Sequence, residues 1–162
     1  MIEIDLKDDE LVATLNRLFG VLADKTPVMQ DIGDALLAST EDRYDRGVGP
    51  DGSAWAPKSP ATIARYERGP DRVDLRPLIR TGTMRRTLFT QANADQVEIG
   101  SNAIQAAVMQ FGAARGAFGA AANGSPIPWG AIPARPFLGV SQEDRVTIVE
   151  IVEEWLETAA ED

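Results

Sequence analysis

The stretch VSQEDRVTIVEIVEEWLETAAED, Val140 to Asp162, decides the class of the fold. Its β-branched residues, Val146 to Val149 with Ile151 and Val152, would suit a strand. Three features favour a helix instead. Ser141 stands where an N-cap belongs, with Asp144 three residues on to complete a capping-box pair, and the first turn is acidic. The stretch is also long for a strand, and Ile148, Val152 and Trp155 then share one face. A C-terminal helix is therefore expected.

Upstream, ARPFLGV is a brief extended piece. Before it, Ala113 to Ile132 is rich in Ala and Gly and holds Pro126, Pro128 and Trp129. Such a composition builds little core and reads as a long, extended and mobile loop. DQVEIGS alternates Val97 and Ile99 with polar residues, and NAIQAAVMQFG carries Ile104, Val108 and Phe111 before Gly112. These two read as antiparallel strands joined near Ser101 and Asn102. RTGTMRRTLFTQ fits either a short helix or the lead into a strand.

From Val48 to Gly82 the residues are turn-rich and studded with Arg65, Arg68, Arg72, Arg76 and Arg80. Gly49 and Gly52 are read as positive-φ turn positions, followed by Trp55 packed on a nearby helix. Two helices precede this region. The first is amphipathic, with Asp8 and Asp9 at its start and Leu11, Leu15, Leu18, Phe19 and Leu22 on one face. The second has Thr26 as N-cap, Pro27 in the first turn, Val28, Ile32, Ala35 and Leu36 inward, and Gly47 at its close. The expected class is α+β: two N-terminal helices, a small antiparallel sheet with a long inserted loop, and a C-terminal helix, in one domain spanning residues 1–162.

Composition excludes much chemistry. The chain has no cysteine and no histidine, which removes disulfides, thiolate metal sites and the commonest general base. A net charge of −9 argues against nucleic acid coating the whole surface. The N-terminus MIEIDLKDDE lacks the pattern of a signal peptide and no apolar run reaches spanning length, so a cytoplasmic chain without a membrane is expected. GPDGSAW lacks the lysine and hydroxyl of a phosphate loop. The carboxylates Glu153, Glu154, Glu157 and Glu161 read as a solvated helix face. Only Lys58 beside Ser59 hints at an activated nucleophile. No catalytic residue, cofactor or metal is expected.

The arginines allow two readings. Arg65 to Arg86 could form a stripe that contacts phosphates, making the protein a nucleic-acid-binding module. Alternatively, Arg76, Arg80, Arg85 and Arg86 pair with acidic helices of an adjacent copy, with Phe118 and Trp129 of the loop ordering against the same partner.

The pieces GSAWAPKSPATIARY, RPLIRTGTMRRTL, VEIGS, VMQFG and IPARPFLGVSQED, in that order and approximate spacing, resemble the phage virion morphogenesis family, the tail-completion proteins of Mu-like and P2-like phages. The resemblance covers roughly Asp51 to Ile151. Met109 stands where the family often has histidine, and Ala113–Ile132 looks like an insertion. The resemblance implies a non-enzymatic virion protein of the head–tail junction, assembled in the host cytoplasm. It implies a homo-oligomeric ring, a hexamer if it follows the sixfold symmetry usual for tails, that terminates the tail. Its neighbours would be a head connector or stopper protein and the tail tube protein, with DNA passing through the lumen without specific binding. Trp55, Pro57, Leu78, Pro133, Arg135, Pro136 and Phe137 are then read as a structural clamp, with Arg135 satisfying carbonyls or a carboxylate.

Overall fold

A computed structural model describes residues 9–69 and 74–161. Asp8, expected at the start of the first helix, and Arg72 of the basic stretch lie outside the described residues. The chain runs α1 (Asp9–Ala23), α2 (Thr26–Arg46), α3 (Pro60–Glu67), α4 (Thr83–Arg86), β1 (Leu88–Ala92), β2 (Val97–Ser101), α5 (Ala106–Phe111) and α6 (Gln142–Glu161). The class is α+β, with helices at both ends and one two-stranded antiparallel sheet.

Helix α2 is the spine on which the sheet and α6 both pack. Its N-terminal half buries Val28, Ile32 and Leu36 against Val97 and Ile99 of the sheet and Ile148, Ile151, Val152 and Trp155 of α6. Each such side chain withdrawn from water stabilises the fold by about 1.5–3 kcal/mol. Gly33 permits the sheet to approach closely, because a Cβ there would lie 3.0 Å from a methyl of Val97. The C-terminal half of α2 carries Tyr44 into a second cluster with Trp55, Met84 and Phe137.

The start of α2 differs from expectation. Thr26 is its first helical residue rather than its cap, and Asp24 accepts the Thr26 amide proton at 3.0 Å in its place. Gly47, at φ 70°, ends the helix as expected. At α6 the capping box forms: the Ser141 hydroxyl accepts from the Asp144 amide at 3.0 Å, and the Asp144 carboxylate accepts from the Ser141 amide at 2.7 Å. Two orphan donors are thereby satisfied.

The sheet is placed one element earlier than expected. β2 pairs with Leu88–Ala92, in register Thr90 to Ile99, and not with the segment that follows it. Asn93 turns the hairpin, its side-chain oxygen accepting from the amides of Asp95 and Gln96. The segment expected as the second strand is helix α5: Ala106 and Met109, one turn apart, pack against the Tyr44 cluster, while Ile104 and Phe111 stand 99% and 79% exposed. Strand alternation was absent there, and two alanines favour the helix.

Helix α1 also differs in what it buries. Thr14, Leu18 and Val21 are partly covered and its main contact is with α6, while Val12, Leu15, Phe19 and Leu22 remain exposed. The amphipathic pattern is present, but among the described residues one edge of its apolar face meets the rest of the chain, and the side chain of Leu11 lies outside them.

Candidate functional site

The clamp is built where the chain returns three times to the C-terminal end of α2. Tyr44 meets Trp55 edge-on at 5.2 Å and Phe137 at 5.8 Å between ring centroids. Phe137 is fully buried. The Trp55 indole donates to the Pro136 carbonyl at 2.7 Å, so the tryptophan is held at both its apolar body and its polar edge. Gly52 has the expected positive φ; Gly49 does not, and is small for another reason, since a Cβ there would lie 3.2 Å from the Pro136 carbonyl.

Arg135 is buried and donates to the carbonyls of Ala56 at 2.6 Å, Pro57 at 2.7 Å and Pro133 at 3.4 Å. Its charge is met by carbonyl dipoles, and burial lowers its pKa. Pro57, Pro133 and Pro136 are themselves exposed and serve through their carbonyls. Leu78, half-buried against the same cluster, adopts φ 59°, a left-handed conformation that costs a side-chain-bearing residue about 1–2 kcal/mol.

Gln110, not singled out in the sequence, closes the clamp. Its side-chain oxygen accepts from the amides of Phe137 at 2.9 Å and Leu138 at 3.0 Å, and its nitrogen donates to the Leu138 carbonyl at 2.9 Å. It therefore acts as a short strand partner for the extended piece before α6. Arg43 was missed as well. It pairs with Asp144 at 2.8 Å with both side chains 5% exposed, and also donates to Thr40 and the Gly139 carbonyl, bolting α2 to the start of α6.

Lys58 offers no base to Ser59. Its amine donates to the carbonyls of Asp74, Arg76 and Ile79, and burial lowers its pKa. Ser59 caps α3 by accepting from the Thr62 amide at 3.2 Å. Among the described residues no three His, Cys, Asp or Glu side chains cluster as a metal site would require, and no helix is long and apolar enough to cross a membrane.

The arginines separate. Arg76 is forked onto Asp74 at 2.7 Å, and Arg85 reaches Asp45 at 2.9 Å and Glu41 at 3.5 Å on α2. Arg80 lies 5.5 Å from the centre of the Tyr66 ring. Arg65, Arg68 and Arg86 are exposed.

Residues 113–132 fold back on themselves as an arm. Ala113 and Ile132 exchange backbone hydrogen bonds at its root, Phe118 donates to Ile127 and Ile127 to Gly119 along its length, and Ala121 donates to Ser125 at its tip. Asn123–Gly124 at that tip is the one hairpin signal the composition concealed. Phe118 and Trp129 stand 55% and 71% exposed on this arm, remote from any core.

Arg135, Gln110 and Lys58 are thus committed to holding backbone, while Phe118 and Trp129 stand on an outward arm, an arrangement suited to assembly. The chain belongs to the phage virion morphogenesis family, whose model matches residues 6–157. It is 27% identical to the Mu-like prophage FluMu G protein 2 of Haemophilus influenzae, over 97% of each chain. It is 31% identical to the putative capsid assembly protein G of Escherichia phage Mu, over 73% of this chain and 70% of that one. No solved structure matches significantly. The protein is thus a phage structural or assembly protein.

Proposed function

We propose that the protein acts at the head–tail junction of a tailed phage or phage-like particle, where copies form a ring that completes the tail and joins it to the head connector. Family membership supports a virion role. The observation that carries the ring is the self-paired arm, which projects Phe118 and Trp129 exposed to solvent. Exposed aromatics of this kind mark contact surfaces. The proposed neighbours are a head connector or stopper protein and the tail tube protein. The role is structural, with no catalytic step.

The purified protein is expected to give closed rings with a DNA-sized hole in negative-stain class averages, and a matching multiple of 17.5 kDa in solution. Monomers at every concentration would count against a self-assembled ring. The exposed Arg65, Arg68 and Arg86 leave a nucleic-acid module as the rival, although Arg76 and Arg85 are engaged within the chain. A DNA titration in which affinity falls steeply with salt would favour that rival.

A further inference from the structure

Besides Ile104 and Phe111 around α5 and an exposed seam on α1, two apolar surfaces of the chain lack a partner among the described residues. One is the arm, with Phe118, Ile127 and Trp129 exposed. The other is at the edge of α1: a largely apolar groove of about 390 Å³, lined by Arg17, Gly20, Val21, Trp155, Thr158 and Ala159, opens between α1 and α6. On the opposite flank of α1 from Arg17 and Gly20, Val12, Leu15, Phe19 and Leu22 follow each other at spacings of three and four as a separate exposed apolar seam.

The two surfaces lie toward opposite ends of the spine. The arm root follows α5, whose Met109 packs against Tyr44 near the C-terminal end of α2. The groove includes Trp155, which packs with Val28 and Ile32 near the N-terminal end. A helix of this length spans about 30 Å. Their charges are also opposed. Arg115 is the only charged residue between Ala113 and Ile132, whereas the groove sets one base, Arg17 of α1, against Glu154 and Glu157, both exposed on α6 next to Trp155 and Thr158, so that its margin is acidic on balance.

We infer that the arm of one copy seats in the α1–α6 groove of the next copy, with Phe118, Ile127 and Trp129 covering the groove while Arg115 faces Glu154 and Glu157. This rests on the ring reading and deepens it. Every copy carries one arm and one groove, so each gives one contact and receives one, the head-to-tail arrangement that closes into a ring. Rigid aromatics entering an apolar groove are the kind of contact that dominates binding.

Because the chain has no cysteine, single thiols report the contact cleanly. Gly130, where a Cβ would meet nothing within 4 Å, is changed to Cys in one sample, and Thr158 on the groove margin to Cys in another. Mixed and oxidised with diamide, the two variants are expected to give a disulfide-linked heterodimer, and the G130C/T158C double variant a ladder of linked copies. Trp129→Ala is expected to weaken assembly about tenfold or more with an unchanged melting temperature. Arg115→Glu should weaken it too, with recovery when Glu154 and Glu157 are both changed to Arg. Rings that form without the heterodimer would overturn the seat and leave the ring standing. Monomers at every concentration would overturn both. A double variant that only forms an internal disulfide would show the arm lying on its own groove, and would also overturn the inference.

Discussion

Asp144 ties together the start of α6, the end of α2 and the acid stability of the fold. Burial alone would raise its pKa, but hydrogen bonds from Ser39, the Ser141 amide and hydroxyl, and Arg43 outweigh it and hold the carboxyl below the usual range. A carboxyl depressed on folding contributes stability that is fully present above its unfolded pKa, about 3.9, and is lost as pH falls through the folded value. Asp144→Asn keeps the shape but leaves Arg43 buried beside a neutral amide. It is expected to cost about 3–5 kcal/mol in urea denaturation at neutral pH, and to flatten the loss of stability below about pH 4. An unchanged acid limb would place that loss elsewhere. Asp24, Asp51 and Asp74 are also depressed, but Asp24 and Asp51 are exposed and Asp74 partly so, all are screened, and they act equally in both proteins. Ser141 and Asp144 were legible in the sequence because a cap is local. Arg43 lies 101 positions away and nothing local marks it.

Among the elements, those with strong internal periodicity were legible, and those set by contact with neighbours were not. α2 and α6 could be read from spacing and terminal residues. The partner of β2 could not, because Leu88–Ala92 and Ala106–Phe111 are both short and apolar, and the choice rests on which can lie against α2. The arm reads in the sequence as a long Ala/Gly-rich loop, but its self-pairing comes from backbone bonds that composition conceals. Its root depends on Gly112, at φ 74°, where a Cβ would lie 2.7 Å from the Ile132 carbonyl and 2.8 Å from the Ala134 nitrogen. Gly112→Ala should therefore destabilise the protein by more than about 1 kcal/mol, whereas Gly130→Ala, in open space, should stay within about 0.5 kcal/mol. Equal denaturation midpoints for the two would mean that the root yields without loss.

At the scale of the whole molecule, the charged surface is partly spent within the chain. Arg85 braces α4 against α2 through Asp45 and Glu41, so reversing it would set acids against each other in one copy. Arg86, exposed beside it, gives a cleaner test of the proposed subunit contact. Arg86→Glu is expected to lower the mass in solution while the melting temperature stays unchanged, and full-sized assemblies would remove Arg86 from the interface. The arm adds a constraint of another kind. Gly112 is hemmed in by backbone, Arg135 donates its amide to the Met109 carbonyl, and Gln110 grips Phe137 and Leu138, so both strands of the root are built into the clamp. The arm is mounted as a cantilever rather than hung from a hinge. In a ring joined through such a beam, the angle between arm and spine fixes the turn from one copy to the next, and copy number becomes a matter of bearing rather than of affinity.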